Sequence, residues 1–390
     1  MKLSLRLFLL TICLLYISTC GINNVIKPKD EPKEGFISSL TVQNNILSFV
    51  TQDSTFAELT YYDRLNSDDM FRGWTAGSAA LEHTYLLPVT DVSITYQMRM
   101  SVKNTARVTM TDTLFTFVST ASDTRHLKVH FINVQQGDSI LIESPDMKNM
   151  IIDGGYGTLR REDWQGGGVP LALNYLIDKN ITHLDYIIES HRHEDHWGGL
   201  ADITNSHITH DMYISVSNPR DFFVGATLNL GNEVHFNFYN LGYPPTYNGR
   251  DLNNTSIVLK ATHGDVEFLF TGDILRNVQN WMIAEGFDLS VDVLKVPHHG
   301  SSANGSSDVV FLDATLNQFA KIAILSFGEA NTYNHPHDLR RFSAFHTYGT
   351  NRAKEIPAGS QQYYDNSGSI VVYSDKRMVF IQTESDISRL

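Results

Sequence analysis

Apolar and polar positions along the chain fall into distinct regimes. Lys2 and Arg6 precede an apolar run, Leu7 to Ile17, that is too short and too close to the start for a spanning helix, so it reads as the core of a secretory signal ending at Cys20. From Cys20 to about Gly35 the chain is polar, holds Pro28 and Pro32, and has no apolar period; residues 21–35 read as a tether. Residues 36–122 carry short β-branched and aromatic runs (Ser39 to Val50, Ala57 to Tyr62, Ser93 to Val102, Leu114 to Val118) broken by Asn, Asp, Ser and Gly clusters, a strand-and-turn pattern.

The character changes near Ser122–Arg125. Leu127 to Val134, Ser139 to Glu143 and Asn149 to Ile152 read as strands, and helical patterns follow from about Leu171. Alternation of strands and helices predicts an α/β unit over residues 125–390, with a domain boundary near residue 124. The segment before it has the length of a small β-sandwich, and its strands resemble those of fibronectin type III or immunoglobulin-like modules, which implies a glycan or protein partner for it.

Ile17-Ser18-Thr19-Cys20-Gly21 resembles the lipobox at which bacterial prolipoproteins are cleaved and lipidated, with Thr19 where Gly, Ala or Ser is usual. The expectation is an extracytoplasmic protein, anchored to a membrane by a lipid on Cys20 or secreted. Cys13, the other cysteine, lies inside the signal, so the mature chain has no pair for an internal disulfide. The formal charge of −13 does not steer polyanions inward by its overall field.

Leu184 to Ser190 reads as a buried strand that runs into His191-Arg192-His193-Glu194-Asp195-His196-Trp197-Gly198-Gly199. In extended chain His191 and His193 point to one side and can grip one ion; once the chain turns helical, Asp195 and His196 can face a second. The alternative is a surface histidine run, against which stand the apolar strand leading in and a Gly-Gly turn closing the segment. Trp197 either covers the metals or packs beneath them. Gln165 to Gly168 follows no strand and opens no dinucleotide fingerprint, and reads as an active-site loop or linker.

The His-x-His-x-Asp-His run resembles the motif of the metallo-β-lactamase fold superfamily, whose other motifs follow in order. Ile151 to Gly155 resembles the strand end whose aspartate, Asp153, supports the site from behind. Phe270 to Asp273 resembles the strand end supplying a carboxylate that bridges both metals, and Lys295 to Ser301 the turn supplying a further histidine. Of that adjacent pair His299 is favoured as ligand and His298 as a substrate-facing or supporting group. Val134 to Ser139, Asn254 to Val258 with Asn254 and Ser256, the His-His-Gly-Ser turn and Asn334 to His337 resemble the branch that includes the hydrolase domain of the DNA-uptake protein ComEC. That likeness covers residues 126–385 and not the membrane channel, so it carries no expectation of DNA uptake. In one departure, no histidine in a familiar context stands between the motif and Asp273: His207, His210, His235 and His263 lie there without one.

The resemblance implies an αββα sandwich after the small all-β domain. It also implies two divalent ions, zinc first with manganese or iron fitting the same donors, held by His191, His193, Asp195, His196, Asp273 and His299. An activated hydroxide between them would attack a phosphodiester in nucleic acid or a cell-envelope polymer. Asp195, His298 and His335 are the catalytic candidates; His298, His335 and Asn254 could serve the leaving group, although a turn-stabilising hydrogen bond explains His335 equally well. The other readings are an amide or ester hydrolase of β-lactamase type, and a surface binding lipoprotein with a vestigial hydrolase domain.

Overall fold

The computed structural model describes residues 36–65, 70–89, 92–120, 125–159, 168–218, 222–241, 251–302, 309–328, 331–342, 344–350 and 368–383. The expected signal, Cys20 and tether lie outside them, as do Gln165 to Gly167 of the glycine run. Among the described residues no helix is long and apolar enough to cross a membrane.

Among the described residues of 37–118 the regular elements are all strands: β1 (Ile37–Gln43), β2 (Ile46–Asp63), β3 (Met70–Thr75), β4 (Ala80–Leu86), β5 (Thr95–Asn104) and β6 (Thr109–Val118). The run from Ser39 to Val50 folds as a hairpin. Asn44 and Asn45, both at positive φ (53° and 60°), make the two-residue turn between β1 and β2, a conformation asparagine tolerates better than most residues. The first half of β2 pairs with β1 and β4 and its second half with β3 and β5. The two halves enclose one core in which Leu47, Phe49 and Tyr85 meet Tyr61, Met98 and Phe117.

The rest of the chain runs β7 (Leu127–Phe131), β8 (Ile140–Glu143), β9 (Asn149–Ile152), α1 (Leu171–Asp178), β10 (His183–Glu189), α2 (Glu194–Thr204), β11 (Thr209–Ser215), β12 (Thr227–Leu230), β13 (Val234–Leu241) and β14 (Ile257–His263). It continues through β15 (Val266–Phe270), α3 (Arg276–Ala284), β16 (Val293–Lys295), α4 (Val309–Thr315), β17 (Ile322–Leu325), β18 (His346–Gly349), β19 (Ile370–Ser374) and β20 (Met378–Thr383). One sheet is ordered β11-β10-β9-β8-β7-β19-β20-β3-β2-β5-β6, the other β12 through β18 in sequence. The first sheet therefore does not stop at residue 124, because β20 pairs antiparallel with β3 and carries the ladder into the N-terminal strands. Along β20, Met378 and Phe380 pack into the N-terminal core while Val379 and Ile381 face the main one.

Strict alternation explains the layering. Ile140 and Ile142 of β8 and Ile152 of β9 point inward against Phe236, Phe268 and Ile324 of the second sheet. Leu141 and Ile151 point outward beneath Leu176 of α1 and Leu200 of α2. On the far side, Leu269, Leu294 and Leu325 meet Val278 and Met282 of α3 and Phe311 of α4. The result is helices, sheet, sheet, helices, with each central strand apolar on both faces because both are covered.

At the foot of β16 the Asp292 carboxylate is 1% exposed; its Oδ2 accepts the Glu267 N–H at 3.0 Å and its Oδ1 has no partner. Burial pushes its pKa up to about 8. A carboxyl raised in the fold stabilises fully below the unfolded value of about 4 and loses that contribution as pH rises toward 8. Asp292→Asn is therefore expected to flatten the fall in stability between those limits and to be the more stable form at pH 8.5, read by urea denaturation across pH; parallel curves for both proteins would contradict this.

Candidate metal centre

The cluster assembles where β9, β10, β15 and β16 end. Strand β10 delivers Ser190 and His191, the chain stays extended through His193 (φ −82°, ψ 142°), and α2 begins at Glu194 with Asp195 and His196 in its first turn. The spacing works as the sequence implies: the His191 and His193 rings lie 4.8 Å apart, with His191 Nε2 3.0 Å from His193 Nδ1. The glycine pair after Trp197 is not a turn. Gly198 and Gly199 lie inside α2, where a Cβ would come within 2.1 Å of the Tyr156 carbonyl oxygen and 1.9 Å of that of Gly154. Glycine there lets the helix press onto the loop after β9. Trp197 stacks under the Arg192 guanidinium, 4.7 Å from its ring centre, and does not line the cavity.

That loop positions Asp153, itself at φ 58°. Its carboxylate accepts from the Ser190 N–H (2.7 Å), the Ser190 hydroxyl (2.6 Å) and His196 Nδ1 (2.7 Å). Ser190 Oγ, whose hydroxyl donates to Asp153, accepts from His191 Nδ1 at 3.1 Å. His299 Nδ1 donates to the Ser326 carbonyl at 2.8 Å. Each of these three rings thus has one nitrogen tied to the protein and Nε2 left for the centre, the arrangement by which supporting groups fix a ligand's tautomer. Asp153→Ala is expected to weaken metal binding by about 10–100-fold, read by competition against a chromophoric chelator; an unchanged affinity would remove Asp153 from this role.

Asp273 is the hub. Its N–H is held by Ser256 Oγ at 2.9 Å, and its Oδ2 lies 3.2 Å from His196 Nε2, 3.3 Å from His299 Nε2 and 3.9 Å from His191 Nε2. Donor atoms of His191, His193 and Asp273 form one group within ion-holding distance; those of Asp195, His196 and His299 form a second. His299 Nε2 is 3.4 Å from Asp195 Oδ2. His298 belongs to neither group: it is 18% exposed, 3.9 Å from Asp273 Oδ2, and lines the cavity. The two histidines occupy consecutive left-handed positions (φ 51° and 55°), each strained by about 1–2 kcal/mol for a residue with a Cβ.

Whether these residues fit a metal can be judged from the buried atoms. His196 Nε2, His299 Nε2, Asp273 Oδ1 and Asp138 Oδ1 are all buried without a hydrogen bond. Such a concentration of unsatisfied polar atoms is costly unless a cation completes it, and imidazole with carboxylate is a donor set for divalent zinc, manganese or iron. The electrostatics agree. Burial opposes charge on Asp273, but His299 and His196 outweigh it and hold the carboxyl well below its usual range. Burial likewise disfavours a charged His299, yet Asp273 and Asp195 raise it to about 9, so metal must displace protons here.

Other residues take supporting places. Asn254 is buried away from the cavity, its Oδ1 accepting the Leu275 N–H at 3.2 Å, so it braces the segment after Asp273 and does not face a leaving group. His335 does line the cavity, its ring 5.8 Å from that of His299, and Asn331 clamps its backbone N–H and carbonyl. Burial, then His299 and His298, lower His335 to about 3, so its ring is neutral. His337 ties Ser302 to Tyr333. His207, His210 and His235 are exposed, and His263 bonds Ser374 Oγ; none of the four is in either ligand group.

Sequence reasoning missed Asp138 and Lys295 as a pair. Lys295 is wholly buried, donates to the Gly272 carbonyl at 3.0 Å, makes a close ion pair with Asp138 and stands 3.6 Å from Asp273 Oδ1. A lone lysine closing the apolar strand Val293–Lys295 was the available signal. The cavity above the cluster measures about 200 Å3, and Gln136, Tyr156, Glu194 and Tyr333 complete its wall.

Residues 132–222, which contain Asp138, Asp153 and the whole His-x-His-x-Asp-His run, match the model of the metallo-beta-lactamase superfamily. Over 274 residues, 63% of this chain, the sequence is 26% identical to ComE operon protein 3 of Bacillus subtilis (strain 168). The chain spans about a third of that relative's length, 34%.

Proposed function

Starting from a metallo-beta-lactamase superfamily hydrolase domain with its ligand cluster assembled, we propose that this chain is an extracytoplasmic, metal-dependent phosphodiesterase. The observation that supports it most is the single carboxylate of Asp273 facing both ligand groups at 3.2 to 3.9 Å. His191, His193 and Asp273 would hold one divalent ion, and Asp195, His196, His299 and Asp273 the other. Two such ions supply Lewis acidity toward phosphoryl oxygens and make water acidic enough to attack near neutral pH.

The chain's own groups do the rest. Asp153, Ser190 and the Ser326 carbonyl keep the ligand rings in one tautomer and orientation. His298 and His335 sit on the open side of the cluster; both are lowered chiefly by burial, so they act as neutral hydrogen-bonding groups at the leaving oxygen and not as reservoirs of protons at pH 7. A cavity of about 200 Å3 admits the phosphoryl group and its nearest atoms and leaves the remainder of a nucleic-acid or cell-envelope polymer outside. The signal-like start and the lipobox-like Cys20 support a location beyond the cytoplasm, tethered to a membrane, and the N-terminal strands would meet a glycan or protein there.

The test is hydrolysis of bis(p-nitrophenyl) phosphate by the zinc-loaded chain, beside a chromogenic cephalosporin and p-nitrophenyl acetate, with an Asp195→Ala/His196→Ala double variant as control. Turnover of the diester that vanishes in the control supports the proposal. Turnover confined to the lactam or the acetate would replace it with an amide or ester hydrolase, and bound metal without turnover of any of the three would favour a binding role.

A further inference from the structure

Of the buried polar side chains in the turn between β7 and β8, Asp138 anchors Lys295 and Ser139 donates to the Asp153 carbonyl, which leaves Gln136 unaccounted for by metal binding. Gln136 is 1% exposed and lines the cavity beside Asp273, His298 and His335. Its Oε1 accepts the Gly328 N–H at 3.3 Å, and a donor at that end identifies it as the oxygen. The Nε2 end is what remains, and it has no hydrogen-bond partner among the described residues. Buried amides are almost always paired, so an amide donor left over in the wall of a catalytic cavity is available for a ligand oxygen.

The side chain is also built to stay where it is. Gly137 adopts φ +122°, where a Cβ would lie 2.1 Å from the Asp195 carbonyl oxygen, and the Asp138 N–H bonds that same oxygen at 3.1 Å. A Cβ on Gly328 would come within 2.6 Å of the Gln136 backbone nitrogen. The turn between β7 and β8, the start of α2 and the loop after β17 therefore close on Gln136 from three sides. A backbone so enclosed is what a group that orients a substrate requires.

We infer that Gln136 contacts the substrate, its Nε2 amide donating to a non-bridging oxygen of the phosphodiester held in the cavity. The inference rests on the phosphodiesterase reading above. A phosphodiester carries two non-bridging oxygens, so when one faces the ligand cluster the other faces the opposite wall and needs a donor. An uncharged amide satisfies it without adding a cation to a centre that already holds Lys295.

Two variants separate this from a packing role. Gln136→Glu keeps the length and the acceptor for the Gly328 N–H but replaces the donor with a second acceptor; Gln136→Met removes both. Inorganic phosphate is titrated into the zinc-loaded full chain by calorimetry, and KM and kcat are measured on bis(p-nitrophenyl) phosphate. Loss of a hydrogen bond to a charged oxygen corresponds to about 10–100-fold. Gln136→Glu is expected to weaken phosphate by that factor or more and to raise KM, Gln136→Met to weaken it less, with metal content and melting temperature as in the unaltered chain. A packing role reverses the order, leaving the glutamate variant close to normal and the methionine variant destabilised. Unchanged phosphate affinity in Gln136→Glu overturns the inference. A chain that binds phosphate through Gln136 yet hydrolyses no diester would instead overturn the phosphodiesterase reading.

Discussion

Replacing Asp273 with asparagine is expected to lower kcat/KM on a phosphodiester by about 10^3-fold or more, because in the proposed binuclear phosphodiesterase several kcal/mol of charge stabilisation would be at stake. Asparagine has the same shape, and the Ser256 Oγ bond to the backbone N–H of residue 273 does not depend on the side chain. The turn should therefore survive while the shared anion is lost. His191, His196 and His299 all approach Oδ2 of this one carboxylate, so the effect should exceed that of changing His193, which serves a single ligand group. Steady-state kinetics beside a thermal melt reads both halves of the expectation. A variant retaining a tenth of the activity would mean that Asp273 is not shared.

Lys295→Met is expected to destabilise the metal-free chain by about 3–5 kcal/mol, since removing one partner of a buried ion pair leaves the other as an uncompensated charge. Lys295 is wholly enclosed; burial opposes its charge, but Asp138 and Asp273 outweigh that and raise its pKa, so it is a fixed cation behind the cluster. Asp138 Oδ1 has no hydrogen bond of its own, and once the lysine is gone its nearest cationic neighbours are His299 Nδ1 at 3.5 Å from Oδ1 and His196 Nδ1 at 3.7 Å from Oδ2, both already tied to other acceptors. Combining Lys295→Met with Asp138→Asn should cost less than the two changes added together, and urea denaturation in the presence of a chelator measures the difference as a coupling energy. A single variant within about 0.5 kcal/mol of the unaltered chain, the range of ordinary surface changes, would contradict the reading.

These two residues also mark where the sequence stops being legible. The His-x-His-x-Asp-His run could be read directly because its logic is local: extended chain puts His191 and His193 on one side, and the first helical turn brings Asp195 and His196 round. Asp153 and Asp273 were recognisable through the resemblance of their strand-end motifs to those of the superfamily. The Asp138–Lys295 pair joins residues far apart in the chain, and no local pattern announces such a partner. For the same reason the continuation of the first sheet through β20 into β3 left no trace near residue 124. Gly198 and Gly199 were misread because the chain next to them gives no hint of the Gly154 and Tyr156 carbonyls against which they pack. The hairpin at Asn44-Asn45 is different: its turn residues were in plain view.

The central claim is that one carboxylate joins two ligand groups into a binuclear centre. Its most direct test is the metal stoichiometry of the full chain, stripped with chelator, reconstituted with zinc and freed of excess by gel filtration. The account predicts two zinc ions per chain, falling to one or none in Asp273→Asn. A single ion in the unaltered chain that persists in that variant would contradict it.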